Sequence, residues 1–424
     1  MPKGYLTNAS GIATKIFETP FDIPIATETT SGIVKGSTAT NGIQVDPITG
    51  RLDAELLLSN DSSVRETPDI IYTKITQSNS ADYFNKFMSG FTKNPNSVAP
   101  YKDGVYIDGP VHGRGTTAFN SAVLMPNGKV LLLPTSSTVI GIYDPVANTY
   151  TNGPTHNGSF SGHTLTPNGR IIMIPSFSAN IGIYNSITNT YTNGPAHGKG
   201  SINVFSGGVL APNGKVIMVP SASPEIGIYD PVANTYTDGP THGMGGGAFN
   251  SGVLMSNGKI IFAPSMSTNI GIYDPVANSF TSGPTHGRGN SAFYCCVLAP
   301  NGKVILIPNQ SSTIGIYDPI ANTYTNGPAH GRGGGAFSGG ILAPNGKVIL
   351  TPYDTNIGIY DPIANTYTNG PTHGKGATAF GKGVLTPNGK IIMAPFSSAN
   401  VGIYDLMGIT TPLGYCLHPF LNKF

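Results

Sequence analysis

Apolar and polar positions alternate in short blocks along most of this chain, and the blocks recur. Over residues 119–155, FNSAVLM leads into PNG, KVLLLP runs apolar, a Ser/Thr-rich turn follows, IGIYD ends at a DP step, and TYTNGPT alternates aromatic with polar side chains. Such blocks are too short for helices and have the length of strands. The second block, apolar throughout, predicts a strand buried on both faces, whereas the fourth predicts an outer strand with one wet face. Asn127-Gly128 marks the first hairpin, since both residue types tolerate positive φ. Four strands in about 44 residues make one propeller blade.

The unit occurs seven times. Its GIYD-type tyrosines stand at Tyr143, Tyr184, Tyr229, Tyr273, Tyr317, Tyr360 and Tyr404, and the first-strand phenylalanines run from Phe119 to Phe380. A GPxH step ends at His112, His156, His197, His242, His286, His330 and His373. The order of the blocks predicts how the ring closes. An isolated fourth-type strand at residues 104–112 precedes any partner, and the last copy stops after its third strand. The early strand is therefore expected to complete the last blade against Val401 to Asp405, which removes both sheet edges. The alternative is a closing strand from residues 415–420.

Composition agrees with this reading. With Gly 56, Pro 35 and only 10% charged residues, the chain is turn-rich and unlike a helical protein. A net charge of +2 gives no case for a nucleic-acid partner. Cys295, Cys296 and Cys416 are too few for a disulfide framework in 424 residues. No stretch approaches the ~18 apolar residues of a membrane span, and the N-terminus lacks signal-peptide features. These features lead to the expectation of a soluble chain made in a cytoplasm, with no membrane insertion.

The repeat, with its YDPxxNTYT step, resembles the kelch type of propeller. It departs from that type at Pro134, where paired glycines are usual, and at Tyr150, which stands at the tryptophan position. The implied fold class is all-β: a seven-bladed kelch-like β-propeller preceded by a small β-rich N-terminal attachment or collar segment. Residues 26–56, ATETTSGIVKGSTATNGIQVDPITGRLDAEL, resemble the collar modules of bacteriophage tail-fibre and related virion appendage proteins. The blade sequence is similar to repeats of phage tail fibres.

The organisation that follows is a collar-like segment at 1–58, a linker at 59–103 with a short helix near Ala81 to Met88 capped by Ser80, the propeller at 104–405 and a tail at 406–424. The resemblance implies a virion protein, assembled in the host cytoplasm, whose first segment docks on other virion proteins and forms a homo-oligomer, a trimer by analogy. Its propeller would contact the host cell surface through a glycan or other receptor. The alternative is a structural virion component: a baseplate protein, capsid decoration or fibre adaptor. A glycan-degrading enzyme would need a non-repeated carboxylate pair, and the off-pattern acids Glu225 and Asp354 fall on separate blades.

No phosphate-cradling loop, nucleophile elbow or zinc spacing is present, so the sequence reading is of no enzyme, no catalytic residue, no cofactor and no metal. The aspartates of the YDP turns, such as Asp144, are read as turn formers. The histidines are expected to form a ring on one face near the channel, each bonded to a backbone group of the neighbouring blade, with ligand contact as the sharper possibility. After five of them comes a cation, namely Arg114, Lys199, Arg288, Arg332 and Lys375. Their fields would add along one rim and favour an anionic glycan. The turns between second and third strands diverge most among copies, and there Phe177, Met266, Tyr353 and Phe396 would contact sugar rings.

Overall fold

The structure, a computed structural model, describes residues 104–200 and 202–406 together with four short strands nearer the N-terminus. The chain separates into two units, Met1–Ser97 and Val98–Phe424. In the first, Tyr5–Thr7 pairs antiparallel with Ala13–Lys15, and Ile33–Lys35 pairs with Gly42–Gln44 inside the collar-like stretch. The helix expected near Ala81 and the alternative closing strand at 415–420 lie outside the described residues.

The second unit is an all-β ring of seven four-stranded antiparallel sheets. Blade 1 runs from its inner strand Phe119–Leu124 through Val130–Pro134 and Val139–Asp144 to the outer strand Thr149–Thr155. Blades 2 to 6 repeat it over 160–196, 205–241, 249–285, 293–329 and 337–372. Blade 7 takes three strands from residues 380–405 and its outer strand, Val105–Val111, from the start of the ring. The register is Asp405↔Val105, Tyr404↔Tyr106, Ile403↔Ile107 and Gly402↔Asp108, as the order of the blocks requires. Gly104 N–H donates to Tyr404 Oη at 3.1 Å. In blade 1 the corresponding tyrosine, Tyr143, instead donates to Asn148, a residue held at φ +52°.

A flat sheet cannot bury both faces alone, so the core forms between blades. Among the described residues it falls into seven clusters, each drawn from two neighbouring blades. The inner-strand phenylalanine is fully buried in every copy and lies over the glycine of the third strand. A Cβ on Gly315 would sit 2.8 Å from the Phe293 ring, which is why GIYD begins with glycine.

Two local features differ from the sequence expectation. Asn127 is not at positive φ; only Gly128 is, at +80°. Pro126 presets the first turn position, and Gly128 N–H donates to Met125 O at 3.0 Å, a type I turn followed by a left-handed glycine. The second feature is a bulge. Phe119 faces Pro134, yet Ser121 faces Leu133, so Asn120 is an extra residue. Proline has no N–H to give the inner strand, and pairing slips where it stands. Ser161, Ser206, Asn250, Tyr294 and Ser338 are the matching bulge residues. Blade 7 slips between Phe380 and Gly383, a stretch that contains Lys382.

If residues 105–111 are the seventh outer strand, a chain beginning at 104 should unfold in one cooperative transition. A chain beginning at 112 exposes Asn400–Asp405 as a sheet edge and should lose several kcal/mol or associate. Thermal unfolding and gel filtration of the two truncations check this.

Candidate functional site

The seven histidines are set at the ends of the outer strands and are all but shielded from solvent, except the partly buried His156. His286 Nε2 lies 2.9 Å from Ser267 O and its Nδ1 lies 3.2 Å from Arg288 N. A carbonyl only accepts and a backbone N–H only donates, so the ring is neutral with its proton on Nε2. The other six make the same two bonds, to the carbonyls of Ser398, Ser137, Ser178, Ser223, Ser311 and Asp354. These carbonyls belong to the histidine's own blade, which corrects the expected bond to the neighbour. The next blade is held by the ring face instead: His286 meets Phe293 edge-on at 5.4 Å and Tyr324 at 6.2 Å. Both nitrogens are thus occupied, and each ring is part of a seam. Burial holds His112, His156, His286 and His373 below their ordinary value of 6.5.

Of the five seam cations, Lys199, Arg332 and Lys375 are neutralised by carboxylates, while Arg114 and Arg288 bond neutral amides and keep their charge. Each turns outward to the outer strand of the next blade, where lysine meets aspartate and arginine meets asparagine. Lys199 bonds Asp238 and Glu225, both at 2.8 Å, and Lys375 bonds Asp108 at 2.7 Å. Arg114 and Arg288 donate to Asn152 and Asn326 at 3.0 and 2.8 Å. Arg332 is buried over Phe337 and Tyr367, bonded to Asp354 at 2.7 Å and to Asn369. Partial burial pulls the Asp108 carboxyl up, but the Lys375 bond and charge outweigh it and hold Asp108 below its usual value. The off-pattern acids Glu225 and Asp354 are the partners of Lys199 and Arg332. On the opposite face the PNGK lysines and YDP carboxylates pair as expected, for example Lys129 with Asp144 at 3.4 Å. Among the described residues no group of His, Cys, Asp and Glu is arranged to hold a metal, and no helix is long and apolar enough to cross a membrane.

The copies also differ around the axis. On the histidine face a recess of about 230 Å³ is lined by the bulge residues Ser161, Ser206, Asn250 and Tyr294. Ser176, Ser221 and Ser265, each following a second-strand proline, also line it, as does Met266. Of the aromatic residues expected here, Phe177 is 53% exposed in its turn, Phe396 is half-buried, and Tyr353 turns inward with its hydroxyl 3.5 Å from that of Tyr294. Lys382 Nζ lies over the Tyr294 ring at 5.7 Å. Further along the inner strand of blade 2, His163 Nδ1 is 3.3 Å from Ser121 Oγ, and burial holds its imidazole down to about 4. Sequence reasoning passed over Tyr294, Lys382 and His163. Aligning the inner strands as FNSAVL, FSGHTL, FSGGVL, FNSGVL, FYCCVL, FSGGIL and FGKGVL would have exposed them.

No protein-family model matches the sequence, and no curated protein does. Solved structures share the fold. A streptogramin B lyase superposes with a TM-score of 0.60 at 13% identity, covering 72% of this chain and 99% of that one. A catalytically inactive virginiamycin B lyase from Staphylococcus aureus with quinupristin gives 0.60 at 13% identity, covering 71% and 99%. A fungal alcohol oxidase of the AA5 family, in complex with copper, gives 0.54 at 16%, covering 72% and 76%. At such identities the likeness is one of fold alone. It nonetheless corrects the reading of no enzyme, because rings of this build include enzymes and a missing sequence motif excludes nothing.

Two outcomes follow from the seams. His286→Ala should cost ~2–4 kcal/mol in urea unfolding, through two lost hydrogen bonds and lost ring packing, while Arg288→Ala on the wet rim should cost under about 1 kcal/mol. The depressed histidines bind protons more readily when unfolded, so their contribution is complete above about pH 6.5 and is lost as pH falls through the lower folded values. The thermal midpoint should be flat above pH ~7 and drop as pH falls below ~6.5.

Proposed function

We propose that this chain is a virion appendage protein whose propeller binds a host-surface glycan at the axial recess on the histidine face. The observation that carries the reading is where the copies diverge. Seven near-identical units keep the same phenylalanine, tyrosine and histidine for the ring, and beside the axis they differ at the inner-strand bulges and the adjoining turns. A recess walled by serine hydroxyls and asparagine amides, with Tyr294 at one end, suits a sugar: the hydroxyls match its hydroxyls and the ring takes its apolar face. At about 230 Å³ it falls short of the ~300 Å³ at which drug-sized sites begin, so it holds one ring-sized group of a longer chain. The collar resemblance of residues 26–56 supports the appendage setting and gives that segment the attachment role.

The test is to screen the full-length protein against immobilised bacterial surface polysaccharides. For a glycan that binds, Tyr294→Ala should weaken affinity at least ~10-fold, about 1.4 kcal/mol, and Val232→Ala on the opposite face should leave it unchanged. Binding indifferent to Tyr294 but lost on changing the opposite face would contradict the site. Shortening of the polysaccharide during the assay would show that the glycan is also cleaved.

A further inference from the structure

Lys382 stands apart from the other cations of the histidine face. Each of the seam cations Arg114, Lys199, Arg288, Arg332 and Lys375 has a carboxylate or amide partner. Lys382 is half-buried at the irregular step of the blade 7 inner strand. Its ammonium has no carboxylate partner among the described residues and lies over the Tyr294 ring of blade 5. Its charge also acts on the protonation of His163 in blade 2 and of Cys296 in blade 5. Neither neighbour compensates its charge. The His163 imidazole is neutral at ordinary pH, and burial pushes the Cys296 thiol up, so it is not a thiolate. Inner-strand residues around it are otherwise glycine, serine, cysteine, asparagine and tyrosine. A partly desolvated ammonium without a counter-charge is costly, and a bound anion relieves that cost.

We propose that Lys382 makes the recess selective for a sugar bearing an anionic substituent, carboxylate or sulfate. This rests on the glycan reading above and adds to it which sugars are taken. Tyr294 belongs to both features: it lines the recess and lies under the ammonium, so a ring seated against Tyr294 presents its substituent to Lys382 Nζ. The Tyr353 hydroxyl donates to that of Tyr294 at 3.5 Å and helps fix the Tyr294 ring beside the ammonium. Selectivity by this device differs from attraction to a charged rim. It depends on one half-buried charge beside the recess, which salt screens only in part.

The experiment is calorimetric titration of the full-length protein with a uronate oligosaccharide, a sulfated oligosaccharide and the carboxyl-reduced neutral form of the first. The wild type should bind at least one of the anionic forms ≥10-fold more tightly than the neutral one, with the preferred form identifying the substituent. Lys382→Met should bring the anionic affinity down to the neutral level without changing neutral binding, and Lys382→Arg should keep the preference. Arg114→Gln with Arg288→Gln should also keep it. Equal wild-type affinities, or a preference that survives in Lys382→Met with its thermal midpoint intact, would overturn the proposal. If the polysaccharide screen finds only neutral glycans, charge selection falls while the glycan reading stands. If it finds none, both fall.

Discussion

A neutral imidazole at each seam ties one blade to the next, and the rest of the ring is arranged around what that imidazole requires. Its Nε2–H reaches back to the second-to-third-strand turn of its own blade, its Nδ1 accepts from the loop that follows, and its ring rests on the next blade's phenylalanine and outer aromatic residue. Hydrogen bonds of this kind contribute about 1 kcal/mol each, and edge-on aromatic contacts ~0.5–1.5 kcal/mol beyond their burial. The phenylalanine can lie where the histidine meets it only because the third strand has glycine beneath it. Histidine, phenylalanine and glycine therefore recur together, and at the seventh seam His373 meets Phe380 in the same way.

That constraint also decides where the molecule is free to vary. Positions that hold a seam repeat in all seven blades, whereas the bulge opposite the second-strand proline has only to fill space beside the axis. In four blades a small donor there still reaches the next inner strand, as Ser206 Oγ does to Phe249 O at 2.8 Å. In blade 5 the bulge carries Tyr294, and in blade 7 the irregular step carries Lys382. A seven-fold scaffold thus acquires an asymmetric feature without disturbing any seam.

The architecture was legible because repetition turns a weak signal into a strong one. One IGIYD block is ambiguous, but seven at a steady period define blades, and an unpaired first strand with a missing last one defines the closure. The rim chemistry was not legible. Lys199 and Asp238 lie 39 positions apart, and nothing local in sequence says that lysine seams face aspartate and arginine seams face asparagine. The cations read as a rim because their partners belong to the next blade. Tyr294 and Lys382 went unremarked for a different reason: within an apolar inner strand they read as packing until the proline-driven bulge turns that stretch of the strand toward the axis.

The claim on which the functional account depends is that ligand enters at the axis and not at the rim. Methionine methyl NMR separates the two, because Met266 lines the recess while Met244 sits at a seam among the rim cations. Titration of the full-length, methyl-labelled protein with an acidic oligosaccharide should shift the Met266 methyl saturably and leave Met244 in place. Movement of Met244 with Met266 unchanged would contradict the account and move the site to the rim.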